Sequence, residues 1–324
     1  MVWLPYVASN LPVTGSVMSL EVELKFLLPV GVGAAAFQSM KDSEAESMPS
    51  QLFGQLQSQT NAQWQAKSRQ RLLNAYFDTA DSWFRRQDSG LRTRQKNQQF
   101  EQTIKLAGQS HGAAHIRPEY NLPCAGVLPE LSAFPAEIWP AGTDVAQLQQ
   151  QLVELFRTDF DREAYIVTLG QSRFELVCDI GAVSGAGQQE VIAEIELELL
   201  SGTLADMLQL AQQLLQAAPL LLGVQSKAER GYRLAQANPL QPQQFASDLT
   251  ASAALRGFLL NQILHSKAVL TMEALDAYWK QWQHALLSQQ HPLASRMAQA
   301  LTPTQRQLWL LAFTASLIDP AIGV

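Results

Sequence analysis

Only two of the 324 residues are cysteine, Cys124 and Cys178. Two thiols make neither a four-cysteine metal centre nor a disulfide framework, so reduced thiols in a cytoplasmic protein are expected. Charge is sparse as well: Asp, Glu, Lys and Arg make up 16% of the chain, with a formal net charge of -6. That balance argues against a basic nucleic-acid-binding surface, though it leaves room for a basic pocket inside an acidic shell. Long apolar runs are missing. The opening "MVWLPYVASNLPVTGSVM" has no basic start, so neither a signal peptide nor a membrane span is expected, and residues 1–18 are set aside as a disordered leader or mis-annotated start. "GVG" at 31–33 lacks a G-x-G-x-x-G pattern and reads as a turn into a helix. Histidines are few: His111 and His115 fall in an expected loop without metal-ligand spacing, and His265, His284 and His291 are scattered.

What remains is a core-forming composition, 47% hydrophobic, in a chain long enough for one large domain or two ordinary ones. Residues 31–70 read as one or two helices with a loop near Pro49. From Leu72 the pattern changes to short alternating segments, "LLNAYFDT", "GLRTRQKNQ", "FEQTIKLAG" and "HIRPEYNLP", spaced as antiparallel strands. "DVAQLQQQLVELF" predicts a helical interlude; "DREAYIVTLG", "RFELVCDIGAV" and "EVIAEIELELLSG" predict strands again. "TLADMLQLAQQLLQAA" has the spacing of an amphipathic helix. The Pro- and Gln-rich stretch 237–248 reads as a linker, and 249–324 as wholly helical. No internal repeat is visible.

Alternation assigns side chains to faces. In "EVELKF", Glu21, Glu23 and Lys25 share one face, against Val22, Leu24 and Phe26. Arg92, Arg94 and Lys96 align in "GLRTRQK"; Thr103 and Lys105 in "QTIKLAG"; Arg117, Glu119 and Asn121 in "IRPEYNL". Glu194, Glu196 and Glu198 align in "AEIELEL", and Asp179 lies opposite Cys178 and Ile180. A solvated face would mix signs without order, whereas here some strands are basic and others acidic. Same-face glutamates repel unless a cation sits among them, and clustered Arg and Lys side chains favour an anion with several oxygens. The set predicts a cavity holding a metal ion and a phosphorylated ligand. If these faces point into a barrel, the apolar faces must be covered from outside by helices.

These residues resemble a known family. "EVELKF" is similar to the E-x-E-x-K signature of the CYTH superfamily, the triphosphate tunnel metalloenzymes. The resemblance continues in order through "YFDTADSWFRRQDSGLRTR", "QTIKLAG", "HIRPEYNLP", "TDFDREAYIV", "CDIGAV", "EIELELLSG" and "SKAERGYRLA", about residues 19–236, nearest to bacterial inorganic triphosphatases with a helical C-terminal region. It implies an α+β fold: an eight-stranded antiparallel β-barrel, a tunnel open at both ends with polar interior and covering helices, plus a small all-α C-terminal segment. It also implies that Lys25, Arg92, Arg94, Lys105, Arg117, Arg162, Lys227 and Arg230 bind triphosphate. Glu21, Glu23, Asp179, Glu194 and Glu196 would hold metal, magnesium with manganese able to substitute, while Glu119 and Glu198 belong to the tunnel wall. Catalysis would rest on Lys25, Glu23 and Glu196, with a water oriented by metal or carboxylate as nucleophile and no phosphoenzyme.

The implied activity is metal-dependent hydrolysis of tripolyphosphate to pyrophosphate and phosphate. The alternatives are a class IV adenylate cyclase, a thiamine or nucleoside triphosphatase and, from another class, a non-catalytic polyphosphate or nucleotide sensor. The expected partner is a small triphosphate, with no nucleic acid or membrane, for a monomer or homodimer. In this family a histidine- and base-rich CHAD module often follows, but about 75 residues beyond the linker are too few, so a packing, dimerisation or remnant role is expected for a partial CHAD-like segment.

Overall fold

A computed structural model describes residues 17–28, 48–297 and 301–318. The "GVG" turn, the helix expected just after it, and residues 1–16 of the leader lie outside the described residues. The strands are Val17–Leu27 (β1), Gln63–Ala66 (β2), Gln70–Thr79 (β3), Gly90–Lys96 (β4), Gln99–Lys105 (β5) and Gln109–His111 (β6). They continue with Ala114–Cys124 (β7), Leu152–Leu169 (β8), Ser172–Gly185 (β9), Gln188–Ser201 (β10) and Leu221–Gly223 (β11). The helices are Met48–Gln59 (α1), Trp83–Arg86 (α2), Val145–Gln150 (α3), Leu204–Ala217 (α4) and Lys227–Ala235 (α5). Four more follow: Ala251–Ser266 (α6), Met272–Ser288 (α7), Ala294–Met297 (α8) and Pro303–Leu317 (α9). None of the described helices is long and apolar enough to cross a membrane.

Eight strands close into an antiparallel barrel in the order β1-β10-β9-β8-β3-β4-β5-β7, and β7 pairs back onto β1. Closure is set by Glu21 opposite Arg117 on one side of β1 and Lys25 opposite Glu196 on the other. Val17 and Met18, grouped with the leader in the sequence reading, already pair with Asn121 and Tyr120. Tight hairpins join neighbours: Asn97 and Gln98 between β4 and β5, and Ala186 and Gly187 between β9 and β10, all have positive φ. Two such residues match a turn to the right-handed twist of the strands it joins.

The apolar faces turn outward, as alternation requires. Val22, Leu24 and Phe26 are buried under helices, together with Cys178, Ile195 and Leu197. The cover comes from α1 (Phe53, Leu56), α4 (Met207, Leu210, Leu214) and the C-terminal helices (Phe258, Trp282, Phe313). Each such large side chain contributes about 1.5–3 kcal/mol of burial. A second outer cluster packs Phe77, Leu91 and Ile104 against Phe84 of α2 and Leu148 of α3. The stretch 237–248 is strapped onto α6, with Gln243 and Asn261 exchanging hydrogen bonds and Phe245 against Tyr278.

Three local expectations are corrected. The helix expected through Phe156 stops at Gln150, and β8 starts at Leu152, because Leu152, Glu154 and Phe156 pair with Thr79, Phe77 and Tyr76. Ladder hydrogen bonds outweigh a weak helical propensity there. Pro49 lies inside α1 at its first turn, where no amide donor is needed, and the helical reading up to Gln70 gives way to β2, whose Trp64 pairs with Val167. His111 and His115 lie on the β6–β7 hairpin rather than in a loop.

One end of the barrel is covered. Inward-facing Leu72, Tyr76, Phe156, Phe160, Val183 and Ile192 form a third apolar cluster with Tyr232 and Leu234 of α5. The resemblance implied two open ends; α5 lies across one of them. Its approach depends on Gly231, where an added Cβ would come within 2.0 Å of the Phe156 ring. Gly231→Ala is therefore expected to lower the free energy of unfolding by about 1–3 kcal/mol in urea denaturation, through overpacking.

Candidate active site

The inward face of the barrel is a cavity of about 240 Å³ lined by Glu21, Glu23, Lys25, Arg92, Arg94, Lys105, Arg117, Glu119, Arg162, Glu196, Glu198 and Lys227. Alternation along β1, β4, β5, β7 and β10 brought most of these together. Lys96 stays exposed at the strand end, outside the lining. Glu101, Glu175 and Arg85 also line the cavity, and the sequence reading did not assign them. Glu101 and Glu175 were legible by parity, since Glu175 stands two and four residues from the inward positions 177 and 179, and Glu101 precedes Thr103 and Lys105. Arg85 comes from α2, beyond the reach of strand parity.

On one side of the cavity acids and bases interlock. On β9 and β10, Asp179, Glu194 and Glu196 place one oxygen each within 4.8 Å of one another. Lys227, at the start of α5, sets its Nζ 2.6 Å from Asp179, 2.6 Å from Glu194 and 2.9 Å from Glu196. Arg162 clasps both Asp179 oxygens at 2.7 Å and reaches Glu196 at 3.0 Å. Lys25 bridges Glu196 and Glu23, the latter at 3.0 Å. Asp179 and Glu194 are 0% and 1% exposed and do not line the cavity, whereas Glu196 and Lys227 do.

Burial would raise the Glu196 carboxyl, but Lys227, Lys25 and Arg162 outweigh it and hold it well below the usual range. Burial would lower the Lys25 and Lys227 ammonium groups, and the surrounding carboxylates instead raise both. Glu196, Lys25 and Lys227 are thus charged at neutral pH.

Glu21 and Glu23 stand apart from this trio. Glu21 pairs with Lys105, which also lies 3.4 Å from Glu119, while Glu23 is held by Lys25. Arg230 sits behind the wall, 3.2 Å from Glu194 and 3.8 Å from Glu190, and does not line the cavity.

The opposite wall is cationic and unpaired. Among the described residues no carboxylate lies within 4 Å of Arg92, Arg94 or Arg117. Arg94 donates to Asn74 at 2.7 Å, and the Nε of Arg92 is buried without a hydrogen-bond partner. Burial, then Arg92 and Arg162, push Arg94 down to about 9. Guanidinium groups buried beside one another in this way favour an anion over further cations.

Glu198 behaves oppositely: burial, then Glu21 and Glu119, push its carboxyl up to about 7. The folded state binds this proton more tightly than the unfolded one, whose value is near 4.5. Stability from this group is therefore present below about 4.5 and lost as pH rises towards 7. Glu198→Gln is expected to remove that loss, making the metal-free variant more stable than wild type at pH 7.5 by on the order of 2 kcal/mol, with no difference at pH 4. Denaturant titration at the two pH values tests it; an equal difference at both would contradict the assignment.

The residues fit a divalent cation. The donors at the trio are all oxygen, one from each carboxylate within 4.8 Å of the others, and Lys227 already places a positive charge among them. Over the whole lining, carboxylates slightly outnumber cations, nine to eight. With charge so nearly balanced, and Glu198 pushed up to about 7, the lining gives a polyanion little net attraction of its own.

A family model described as the CYTH domain matches residues 19–232. An inorganic triphosphatase of Haemophilus influenzae is 34% identical over 168 residues, 50% of this chain and 46% of that protein. The chain thus spans about half the length of the curated relative it matches. Among solved structures, the HpAC1 protein of Hippeastrum, described as a candidate adenylyl cyclase with a dominant triphosphatase activity, is 17% identical at a TM-score of 0.42, covering 68% of this chain and 98% of that one. The PH1819 protein of Pyrococcus horikoshii is 16% identical at 0.40, covering 66% and 99%.

Proposed function

Because the chain belongs to the CYTH domain family, we propose that it hydrolyses inorganic triphosphate to pyrophosphate and phosphate inside the barrel, with magnesium or manganese. The observation that carries this reading is that Arg92, Arg94 and Arg117 line the cavity with no carboxylate within 4 Å among the described residues, while Glu196 lines the same cavity as the least buried member of a carboxylate trio on β9 and β10. Triphosphate brings about four or five negative charges, and the arginine forks match its oxygens. Asp179, Glu194 and Glu196 would hold the cation, whose bound charge neutralises the phosphate oxygens as a Lewis acid.

The chain's own groups do the remaining work. Arg92, Arg94, Arg117 and Lys105 fix the phosphates, so that attack on the terminal phosphorus is in line. Lys25, held by Glu23 and Glu196, carries positive charge towards the oxygens of the transferred group. Glu23 and Glu196, as carboxylates, accept hydrogen bonds from the attacking water, and the bond to the bridging oxygen breaks as the bond to water forms. No protein oxygen is phosphorylated in this scheme. Arg162 and Lys227 keep the acids in register.

An inorganic substrate is favoured over a nucleotide by what lines the cavity. Among the described residues its aromatic rings are Tyr76 and Tyr232, and both are engaged. Tyr76 stacks on Phe156 at 4.4 Å, and Tyr232 donates to Asp78 at 3.0 Å while abutting Phe156. Phe156 covers one face of Tyr76, and the Arg85 guanidinium lies 5.5 Å over the Tyr232 ring, which leaves a base little aromatic surface. With both thiols free, the reading extends to a cytoplasmic protein, monomeric or homodimeric, acting on a small molecule.

Phosphate release from tripolyphosphate, ATP and thiamine triphosphate with magnesium or manganese tests the proposal. Metal-dependent release fastest from tripolyphosphate is the expected result; faster release from an organic triphosphate, or none from any, would overturn it.

A further inference from the structure

Each carboxylate of the trio has its two oxygens divided between different cationic side chains. Lys227 takes one oxygen of each: Asp179 Oδ2 at 2.6 Å, Glu194 Oε1 at 2.6 Å and Glu196 Oε1 at 2.9 Å. The other oxygens face guanidinium groups. Arg162 Nε donates to Asp179 Oδ1 at 2.7 Å, and its Nη2, shared with Asp179 Oδ2, donates to Glu196 Oε2 at 3.0 Å. Arg230 Nη2 lies 3.2 Å from Glu194 Oε2. We propose that Arg162 and Arg230 limit each carboxylate to one oxygen towards a bound cation, which makes Arg230, behind the wall, a residue that selects magnesium or manganese over calcium. The inference rests on the reading of the trio as a cation site and says which cations that site admits.

The surroundings of Arg230 hold it to this task. It is 6% exposed, and its Nε has no hydrogen-bond partner, so the guanidinium cannot turn to water. Its Nη1 reaches the Val191 carbonyl at 3.4 Å and Glu190 only at 3.8 Å. Both Glu190 oxygens are engaged elsewhere, one by Lys267 at 2.8 Å and the other by Arg233. Glu194 Oε2 is therefore the nearest carboxylate oxygen open to Arg230. Lys227 and Arg230 stand three residues apart on α5 and share one side of it, so a single helix delivers the group on Oε1 and the group on Oε2. The resemblance placed Arg230 among the triphosphate ligands; its contacts give it a carboxylate to orient instead.

The number of oxygens each carboxylate can offer separates the cations. Calcium takes about six to eight oxygens and accepts both from one carboxylate, whereas magnesium keeps a tight octahedron and retains several waters. Manganese suits the same oxygen donors as magnesium. Single oxygens from Asp179, Glu194 and Glu196 leave room for waters and phosphate oxygens around magnesium, and they deny calcium its two-oxygen contacts. Freeing Glu194 Oε2 would restore one of those contacts. Loss of the Arg230 charge also strengthens the attraction for every divalent cation, so the ratio of two affinities, rather than either alone, reports the clamp.

Calorimetric titration of the full chain with manganese and with calcium, without substrate, tests this. Wild type is expected to bind manganese at least about tenfold more tightly than calcium, and Arg230→Met to narrow that ratio by about tenfold, chiefly through a gain for calcium. Arg233→Met is the control for charge alone: Arg233 pairs with Glu190 rather than with the trio, so the ratio should stay within about twofold of wild type. A ratio unchanged in Arg230→Met, or narrowed equally by Arg233→Met, would overturn the proposal. Should Arg230→Met not fold, infrared difference spectra of wild type decide. Manganese should then perturb carboxylate bands of the one-oxygen kind only, and bands of the two-oxygen kind would overturn the proposal. If wild type binds neither cation, the reading of the trio as a cation site falls and this inference with it, whereas an unchanged ratio with both cations bound removes the clamp alone.

Discussion

Glu196→Gln should lower the turnover of tripolyphosphate by about 100- to 1,000-fold, the usual effect of removing one charge-positioning group from a preorganised site. Glu196 is the residue on which the cluster converges: Lys25, Lys227 and Arg162 all bond to it, and it alone of the trio lines the cavity. Glutamine keeps the shape and loses the charge, so Lys25 and Lys227 are left less compensated and the cation site loses one anionic donor. The expected signature is a fall in kcat together with a higher magnesium requirement, with secondary structure unchanged by circular dichroism. Glu101→Gln is the matched control, because Glu101 lines the same cavity from β5 but lies outside the trio. Turnover of Glu196→Gln within threefold of wild type would remove the acidic trio from the mechanism.

The second large effect is expected at Lys227. Its ammonium occupies the centre of the three carboxylates, so a divalent cation and Lys227 compete for the same oxygens. Lys227→Met removes the competitor. Calorimetric titration with manganese, without substrate, should show affinity at least tenfold higher than wild type. The metal-free variant should also be less stable by about 3–5 kcal/mol, the cost of leaving a buried charge unpaired, and manganese should restore its melting temperature. The two effects have one origin, since the charge that fills the site is supplied either by the chain or by the solution. Unchanged manganese affinity with reduced stability would mean that Lys227 is only a structural partner of Asp179.

Strand parity accounts for most of what could be read before the fold was seen. Because side chains alternate, Glu21, Glu23 and Lys25 had to share a face whatever β1 paired with, and so did Arg92 with Arg94 and Glu194 with Glu196 and Glu198. Hydrophobic alternation likewise put Val22, Leu24 and Phe26 on the side covered by helices. Where parity gave no guidance the reading failed. Leu152–Phe156 carry residues compatible with either state, and their pairing with β3 made them strand. Lys227, Arg230 and Arg162 were placed by resemblance rather than by spacing, and Arg230 proved to sit behind the wall.

By itself, then, the sequence determined the barrel-forming strands, the inward direction of their charges and the outward direction of their apolar faces, because these depend on a period of two along a short segment. Tertiary structure alone decided which of those charges are neutralised. Register across the barrel sets Asp179 opposite both Arg162 and Glu194, and long-range packing of Gly231 and Tyr232 against Phe156 delivers Lys227 to the trio. It also left Arg92, Arg94 and Arg117 without a carboxylate partner among the described residues and brought Arg256 from the C-terminal helices to Glu229 of α5. Those outcomes depend on distances between residues far apart in the chain, and no local pattern encodes them.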